Sequence, residues 1–146
     1  MERIDVIPSI VLSAHALARI AAQDAGNEAP AAQWRILSLL DQQGGRRIGE
    51  LASAARTTQP GMTRLIGALE RDGLVTRSPD ADDSRAIAVD ITSTGRTVLR
   101  EWRAEFRDTL APRFAALSTE DWDTLTRAAE ILAIHTDPTS QTGAER

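Results

Sequence analysis

The chain has 146 residues, 42% of them hydrophobic and 26% charged, which fits one globular domain and excludes a collagen-like or disordered composition. It contains no cysteine, so disulfides, thiolate metal sites and redox sensing through cysteine are excluded. The formal net charge of -4 argues against a uniformly basic coat for nucleic acid, although a local basic region is compatible with it.

The N-terminal residues predict an amphipathic helix. Apolar residues between Ile4 and Ala22 recur every three or four positions, as they do on one face of a helix. Pro8 is tolerated only in a first turn, so the regular helix is predicted to start near Ile7. The stretch 24–30 contains Gly, Asn and Pro and predicts a break. We recognise no signal peptide and no membrane-length apolar run, and we expect a cytoplasmic protein.

Two further helices are predicted in the next part of the chain. The first covers residues 31–43 and ends at Gly44, and the second is short and covers 49–55. A polar turn, residues 56–58, follows the second of them. Their inward-facing residues are predicted to be Trp34, Leu37, Leu40, Leu51, Ala52 and Ala55.

The fourth predicted helix is clearly amphipathic. Thr58 is a good N-cap, Pro60 suits the first turn and Gly73 ends the helix, so residues 59–72 are predicted to be helical. Its buried stripe is predicted to be Met62, Leu65, Ile66 and Leu69. Its outer face carries residues that a hydrophobic core does not require, namely Gln59, Thr63, Arg64, Gly67 and Arg71.

Positive charge is concentrated around this helix. Six arginines and three acidic residues lie between Arg46 and Arg77, whereas the rest of the chain is acidic. All 17 cationic residues of the chain are arginines, whose planar guanidinium group suits both phosphate and guanine. A biased genomic base composition is the simpler explanation of that preference for arginine.

The segment after the fourth helix predicts a β-hairpin. Residues 74–77 and 87–91 are strand-like, and an acidic, proline-containing turn, 78–84, separates them. A hairpin placed after two short helices and a tight turn is the order of a winged helix-turn-helix, whose second helix enters a major groove of DNA. A helical hairpin of an all-α domain is the alternative for residues 48–77 taken alone.

The C-terminal third predicts two more helices. Thr92 caps a long helix that is predicted to cover 93–111, where Pro112 kinks or ends it. A last helix is predicted to begin after Ser118, which can cap it. The polar residues 137–146 are expected to be disordered.

With this hairpin the sequence resembles the MarR (multiple antibiotic resistance regulator) family. The wing of that family has an arginine after a hydrophobic strand, an acidic turn, Asp-x-Arg, alternating apolar residues and then Leu-Thr-x-x-Gly. The matching residues, in order, are Arg77, the turn 78–82, Asp83-Ser84-Arg85, Ile87, Val89 and Ile91-Thr92-Ser93-Thr94-Gly95, with Ile91 in place of Leu. The resemblance extends upstream to residues 33–37 and downstream to 117–121.

The resemblance implies a winged helix-turn-helix fold, mainly α with a small β wing. Residues 1–30 and 93–136 would form the dimerisation helices, and residues 31–92 the DNA-binding lobe. Within that lobe the recognition helix would cover about 59–72 and the wing about 74–91. The function implied is that of a homodimeric transcriptional regulator, a repressor on a pseudo-palindromic operator, which needs no cofactor and is released by a small aromatic or acidic ligand.

The resemblance and the position of each residue assign the DNA contacts of the fourth helix. Its start would present backbone N–H groups and the positive end of the helix dipole to phosphate, through Thr57, Thr58, Gln59, Pro60 and Gly61. Gln59, Thr63 and Arg64 are placed to reach base edges or the backbone in the major groove. A solvated surface charge is the alternative for Arg64.

Residues outside the fourth helix complete the predicted interface. Arg85 resembles the wing-tip arginine of the family, which enters the minor groove, and Asp83 would orient it by a charge-assisted hydrogen bond. An ordinary salt bridge of the hairpin is the alternative for this pair. Arg56 and Arg77 are predicted to contact phosphates, whereas the Arg46-Arg47 pair is equally consistent with phosphate contacts and with solvated charges.

The sequence shows no recognisable catalytic or metal site. His15 and His135 are the only histidines, and neither belongs to a catalytic motif. The acidic residues of 80–83 lack the glycine and distal glutamate of a calcium loop. A ligand pocket is predicted near His15, Trp34 and Trp102, although aromatic residues at helical spacing are more often core residues. The alternative function is a winged-helix module that docks proteins, against which the clustered arginines argue.

Overall fold

The computed structural model describes residues 2–25 and 31–136. The first part of the chain forms helices α1 (Arg3–Ala25) and α2 (Ala31–Gln43), strand β1 (Arg46–Arg47), and helices α3 (Ile48–Ala54) and α4 (Gln59–Arg71). Strands β2 (Val75–Pro79) and β3 (Ile87–Ile91) follow, and then helices α5 (Ser93–Phe114) and α6 (Thr119–Thr136). The predicted fold class, mainly α with a small β wing, is confirmed. Most of the predicted break and all of the predicted disordered tail, 137–146, lie outside the described residues.

The hydrophobic core is built from residues of α2 to β3 and from the first half of α5. The chain divides into two compact units, one ending at Leu110 and the other beginning at Ala111, and this core lies in the first. Its largest fully buried side chains are Leu37, Leu40, Leu51, Met62, Ile66, Leu69, Leu99, Val75 and Val89. Three of them come from α4 at helical spacing, so packing of this stripe turns the opposite face of α4 outward.

Two short helices position that outward face. The bounds predicted for α2 are confirmed, and Gly44 ends it in the left-handed region, with φ of +75°. Helix α3 starts at Ile48 and ends at Ala54, one residue earlier at each end than predicted. Ala55 is therefore the C-cap of α3 and is exposed, so its prediction as an inward-facing residue is wrong.

The sheet has three antiparallel strands in the order β1-β3-β2. The predicted hairpin is confirmed, with Val75 opposite Ile91 and Arg77 opposite Val89. Strand β1 was not predicted, because two residues are too short to show an alternating pattern. It pairs Arg46 with Val89 and so joins the start of α3 to the wing hairpin.

A cluster of hydrogen bonds fixes the start of α5 to the end of α4 and the start of β2. The backbone N–H of Thr92 donates to the Leu74 carbonyl at 3.0 Å, and its hydroxyl donates to the Gly73 carbonyl at 2.6 Å. The same hydroxyl oxygen accepts from the Gly95 N–H at 3.0 Å, which confirms the predicted cap. Gly95 is buried, and a Cβ there would overlap the Leu74 carbonyl oxygen and lie 2.8 Å from Ile91 Cγ1. The Thr-x-x-Gly pattern thus has a packing cause.

Helix α1 starts at Arg3, so the predicted start near Ile7 is wrong. Pro8 lies inside the helix, where its missing N–H leaves a carbonyl one turn earlier to the solvent. Many of its apolar side chains are exposed, including Ile4 at 79% and Leu12 at 70%. By length and composition alone, residues 3–24 form the one helix among the described residues that is apolar enough to span a membrane.

The second unit contains the end of α5 and all of α6. Helix α5 continues through Pro112 to Phe114, so the prediction that it ends at Ala111 is wrong, whereas the alternative of a kink at Pro112 stays a prediction. Ser118 and Asp121 form the capping box of α6, since the Asp121 N–H donates to Ser118 Oγ and the Ser118 N–H donates to Asp121 Oδ2, each at 3.1 Å. The Ser118 hydroxyl also donates to this carboxylate and lowers the pKa of Asp121. The Phe114 and Trp122 rings are in contact.

Candidate nucleic-acid interface

The start of α4 is an exposed helix N-terminus with a built cap. Thr58 has extended backbone geometry, and its hydroxyl oxygen accepts from the Gly61 N–H at 3.1 Å, which confirms it as N-cap. A Cβ at Gly61 would lie 3.0 Å from Thr58 Oγ1 and 3.3 Å from Thr57 Oγ1, so a glycine suits this turn. Gln59 and Pro60 are exposed. This end of α4 is open to an anion, and its dipole favours one.

Arg56 precedes the cap in an unusual backbone conformation. It is the one residue other than glycine with positive φ, at 49°, in the part of the chain that the structure describes. Left-handed backbone costs an L-residue with a Cβ roughly 1 kcal/mol or more. Its side chain is exposed, and it lines the mouth of a cavity between α2, α4 and the turn. Arg56 is thus exposed at a strained turn position beside the cap of α4, and its phosphate contact stays a prediction.

The outer face of α4 presents polar side chains next to this N-terminus. Thr63 and Arg64 are exposed. The Thr63 hydroxyl donates to the Gln59 carbonyl at 2.9 Å, so its hydrogen is already engaged within the helix. Arg64 has no ion pair or hydrogen bond with any residue in 2–25 or 31–136, so its guanidinium group retains its full donor capacity.

The wing carries the predicted pair of opposite charges. Arg85 Nε lies 3.2 Å from Asp83 Oδ1, and the Arg85 side chain is 91% exposed. Asp83 Oδ1 also accepts from the Arg85 backbone N–H at 3.1 Å. This geometry holds the arginine beside the turn and leaves most of its side chain in solvent, as an orienting carboxylate requires.

Arg77 lies on β2 and forms an ion pair with a residue of α4. Arg77 Nε is 3.0 Å from Glu70 Oε2, and both side chains are partly exposed. The sequence predicts a phosphate contact for Arg77 but not its ion pair with Glu70. The two residues lie on different elements, and only the fold brings β2 and α4 together. The phosphate role of Arg77 stays a prediction.

A second ion pair, which sequence reasoning also missed, joins the start of α3 to the wing. Arg47 Nε lies 2.8 Å from Asp80 Oδ2. A groove of about 540 Å³ next to it is lined by residues of α3, α4 and the wing, among them Arg47, Gln59 and Ile87. The start of α4 and the turn end of the β2–β3 hairpin therefore face one groove. The Arg47 side chain is 42% exposed, and Arg46 Nε lies 4.0 Å from Glu50 Oε2. Phosphate contact and solvated charge stay the two alternatives for both arginines.

The three residues predicted to form a ligand pocket differ in their exposure to solvent. His15 is exposed on α1, whereas Trp34 and Trp102 are half-buried and pack against the core. The Trp34 ring also contacts Phe106, with 5.7 Å between centroids. A cavity of about 690 Å³ beside Arg56 is lined by residues of α2, α3 and α4, but not by His15, Trp34 or Trp102. The pocket near these three residues stays a prediction, and no metal-binding cluster is found among the described residues.

Comparison with known proteins identifies the family. The sequence profile of the MarR family matches residues 30–87. The HTH-type transcriptional regulator MT0903.1 of Mycobacterium tuberculosis (strain CDC 1551 / Oshkosh) is 32% identical over 100 residues, which are 68% of this chain and 70% of that protein. The HTH-type transcriptional repressor IacR of Pseudomonas putida is 26% identical over 68% of this chain and 60% of its own length.

A solved structure agrees with the sequence comparisons. The structure of a MarR family protein from Bacillus stearothermophilus covers 92% of this chain and 97% of its own, with a TM-score of 0.72 at 22% identity. At that identity the likeness concerns the fold, and the sequence matches carry the function. The chain belongs to the MarR family of DNA-binding transcriptional regulators.

Proposed function

We propose that this regulator acts as a homodimer on a pseudo-palindromic operator, with α4 in the major groove and the wing in the adjacent minor groove. The observation that carries the proposal is the exposed, capped start of α4 beside Arg64, whose guanidinium has no partner within the described residues. A helix N-terminus binds phosphate, and an unpaired arginine one turn further can pair with guanine.

Each side chain of the proposed interface has a distinct task. Gln59 and Arg64 supply the hydrogen-bonding groups that distinguish adenine and guanine in the major groove. Arg85, held by Asp83, enters the minor groove, where a narrow A·T-rich segment concentrates negative potential. Arg56 and Arg77 neutralise phosphates and set the register of the lobe on the duplex.

The proposed dimer follows from apolar side chains at both ends of the chain. Ile4 and Leu12 of α1 and Ile134 of α6 are more than half exposed in the single chain. Apolar surface of this kind is normally covered in a soluble protein, and a second copy covers the same patch on both chains. In this proposal residues 1–30 and 93–136 make the dimer, and residues 31–92 the lobe.

Light scattering at micromolar concentration is expected to give about twice the chain mass of 15.8 kDa. A dilution series is the control. A reversible dimer dissociates on dilution, so its average mass falls toward that of one chain, whereas an aggregate does not reach the mass of one chain. A folded protein that remains monomeric at these concentrations would contradict both the dimer and the palindromic operator.

The operator is tested with DNA from around the gene that encodes the chain. A gel-shift titration should show a complex with this DNA at concentrations where random duplex of the same length remains free. We propose repression as the outcome of binding, in line with the name of the relative IacR, and a cytoplasmic location beside the chromosome. Equal affinity for both duplexes would contradict an operator in this DNA, and no binding to either duplex would leave a winged-helix protein-docking module as the function.

We further propose that a small aromatic or acidic ligand releases the DNA, near the predicted residues Trp34 and Trp102. Trp34 Nε1 and Ser38 Oγ, one helical turn apart on α2, are buried polar atoms without a hydrogen-bond partner among the described residues. A carboxylate could satisfy both, and an unpaired buried polar group is otherwise unfavourable.

Salicylate is a suitable probe for this ligand site. It is expected to quench tryptophan fluorescence and to weaken DNA binding with the same coupling free energy with which DNA weakens salicylate binding. Benzyl alcohol, which lacks the carboxylate, is the control. Quenching without any change in DNA affinity would exclude a role in release.

A further inference from the structure

One arginine joins three elements of the lobe. Arg47 pairs with Ala88 as part of β1, precedes the first residue of α3 as its N-cap, and donates its backbone N–H to Glu50 Oε1 at 3.4 Å. Its side chain reaches the wing, where Nε donates to Asp80 Oδ2 at 2.8 Å. The helix-turn-helix and the wing are thus connected by a side chain as well as by the sheet.

Asp80 uses both carboxylate oxygens. Oδ2 accepts from Arg47, and Oδ1 accepts from the Asp82 backbone N–H at 2.8 Å, within the wing turn. The Asp80 side chain is only 16% exposed. The hydrogen bond from Arg47 is the main reason why the pKa of Asp80 is lowered, so the carboxylate stays charged at neutral pH. Its backbone N–H also donates to the Ala86 carbonyl, which closes the turn.

We propose that Asp80 is a positioning residue for DNA binding, which through Arg47 fixes the wing turn relative to the recognition helix and so aims Arg85 at the minor groove. Arg85 lies in the turn that Asp80 closes. Arg47 and Gln59 line one groove beside the turn end of the hairpin. The proposal rests on the proposed function, since it assumes that Arg85 contacts DNA.

The sign of one substitution separates this role from simple electrostatics. Removing a carboxylate from a DNA-binding face raises affinity by charge alone, because phosphate no longer meets a like charge. Positioning predicts the opposite sign for Asp80→Asn. The two hydrogen bonds reach different carboxylate oxygens, and Asn replaces one of these oxygens with an NH2 group, which only donates, so in this geometry one of the two bonds is lost.

Asp82→Asn is the matched control. It removes the same charge two residues away, and the Asp82 side chain is exposed and has no ion pair or hydrogen bond in the part of the chain that the structure describes. Its backbone N–H, which contacts Asp80, is unchanged by the substitution. Asp82→Asn should therefore keep or raise affinity for DNA.

The experiment measures fluorescence anisotropy on a labelled operator duplex from the gel-shift titration. Asp80→Asn should weaken binding about threefold or more, and Arg85→Ala should cost clearly less in the Asp80→Asn background than in the wild type, as coupled residues of one network do. Circular dichroism and light scattering confirm that each variant keeps the fold and mass of the wild type. If Asp80→Asn raises affinity as Asp82→Asn does, or if its effect adds independently to that of Arg85→Ala, the positioning role is wrong. If the wild type itself does not bind the duplex, the proposed function fails instead.

Discussion

Replacing Arg64 with alanine is expected to weaken operator binding by about 1 to 3 kcal/mol for each half-site, because a bidentate arginine–guanine pair is lost. A dimer carries two copies, so the total effect is roughly twice as large. Arg64 is exposed on α4 and has no partner among the described residues, so stability should not change. Anisotropy titrations on operator and random DNA measure the effect, and preference for the operator should fall as well as affinity.

Two other arginines serve as comparisons for Arg64. Arg71→Ala removes the same side chain from the last turn of α4, far from the end that we place in the groove, and should cost less. Arg85→Ala should flatten the dependence of log K on log salt by about one unit for each lost phosphate-neutralising charge. Arg64→Ala with unchanged affinity, salt slope and operator preference would show that α4 does not read the DNA.

Gly95→Ala is expected to destabilise the fold strongly, by about 3 kcal/mol or more, since overpacking at a rigid site costs about 1 to 3 kcal/mol and here the obstacle is backbone. The added methyl group would overlap the Leu74 carbonyl oxygen and lie 2.8 Å from Ile91 Cγ1. That carbonyl cannot move without losing its hydrogen bond from the Thr92 N–H. Urea denaturation followed by circular dichroism should show a lower midpoint.

Gly67→Ala is expected to have the opposite effect on the stability of the fold. A Cβ at Gly67 meets nothing within 4 Å, and the residue lies inside α4. Alanine there should stabilise the protein by about 1 kcal/mol through its higher helix propensity. Similar effects of the two substitutions on the unfolding midpoint would contradict the packing assigned to Gly95.

The sequence predicted the elements whose signal is local. The bounds of α2 and β3, the Thr58 cap and the buried stripe of α4 all follow from periodicity and capping residues, and the structure confirms them. The start of α1 was predicted too late, because Pro8 was taken to lie only in a first turn, whereas α1 holds it inside the helix, five residues after its start at Arg3. Likewise α5 passes Pro112 by two residues.

The candidate site was predicted in its residue types but not in its connections. Arg85 and Asp83 are two residues apart, and their contact could be inferred from the motif. The partners Arg47 and Asp80 are separated by 33 positions, and β1, which brings them together, is too short for a periodic signal. Ion pairs of this kind depend on the register of the sheet, which no local pattern of charges reveals.

The ion pairs of the lobe bear on how many copies of the protein a cell requires. Glu70 beside Arg77, and Asp83 beside Arg85, offset part of the positive charge that these arginines present to a duplex of arbitrary sequence, and attraction to such DNA depends on positive charge. A chromosome offers on the order of a million or more such sites, which sequester a regulator in proportion to that attraction. For the proposed regulator, weaker sequestration would leave a larger share of the copies available to the operator, so fewer copies per cell would suffice to occupy it.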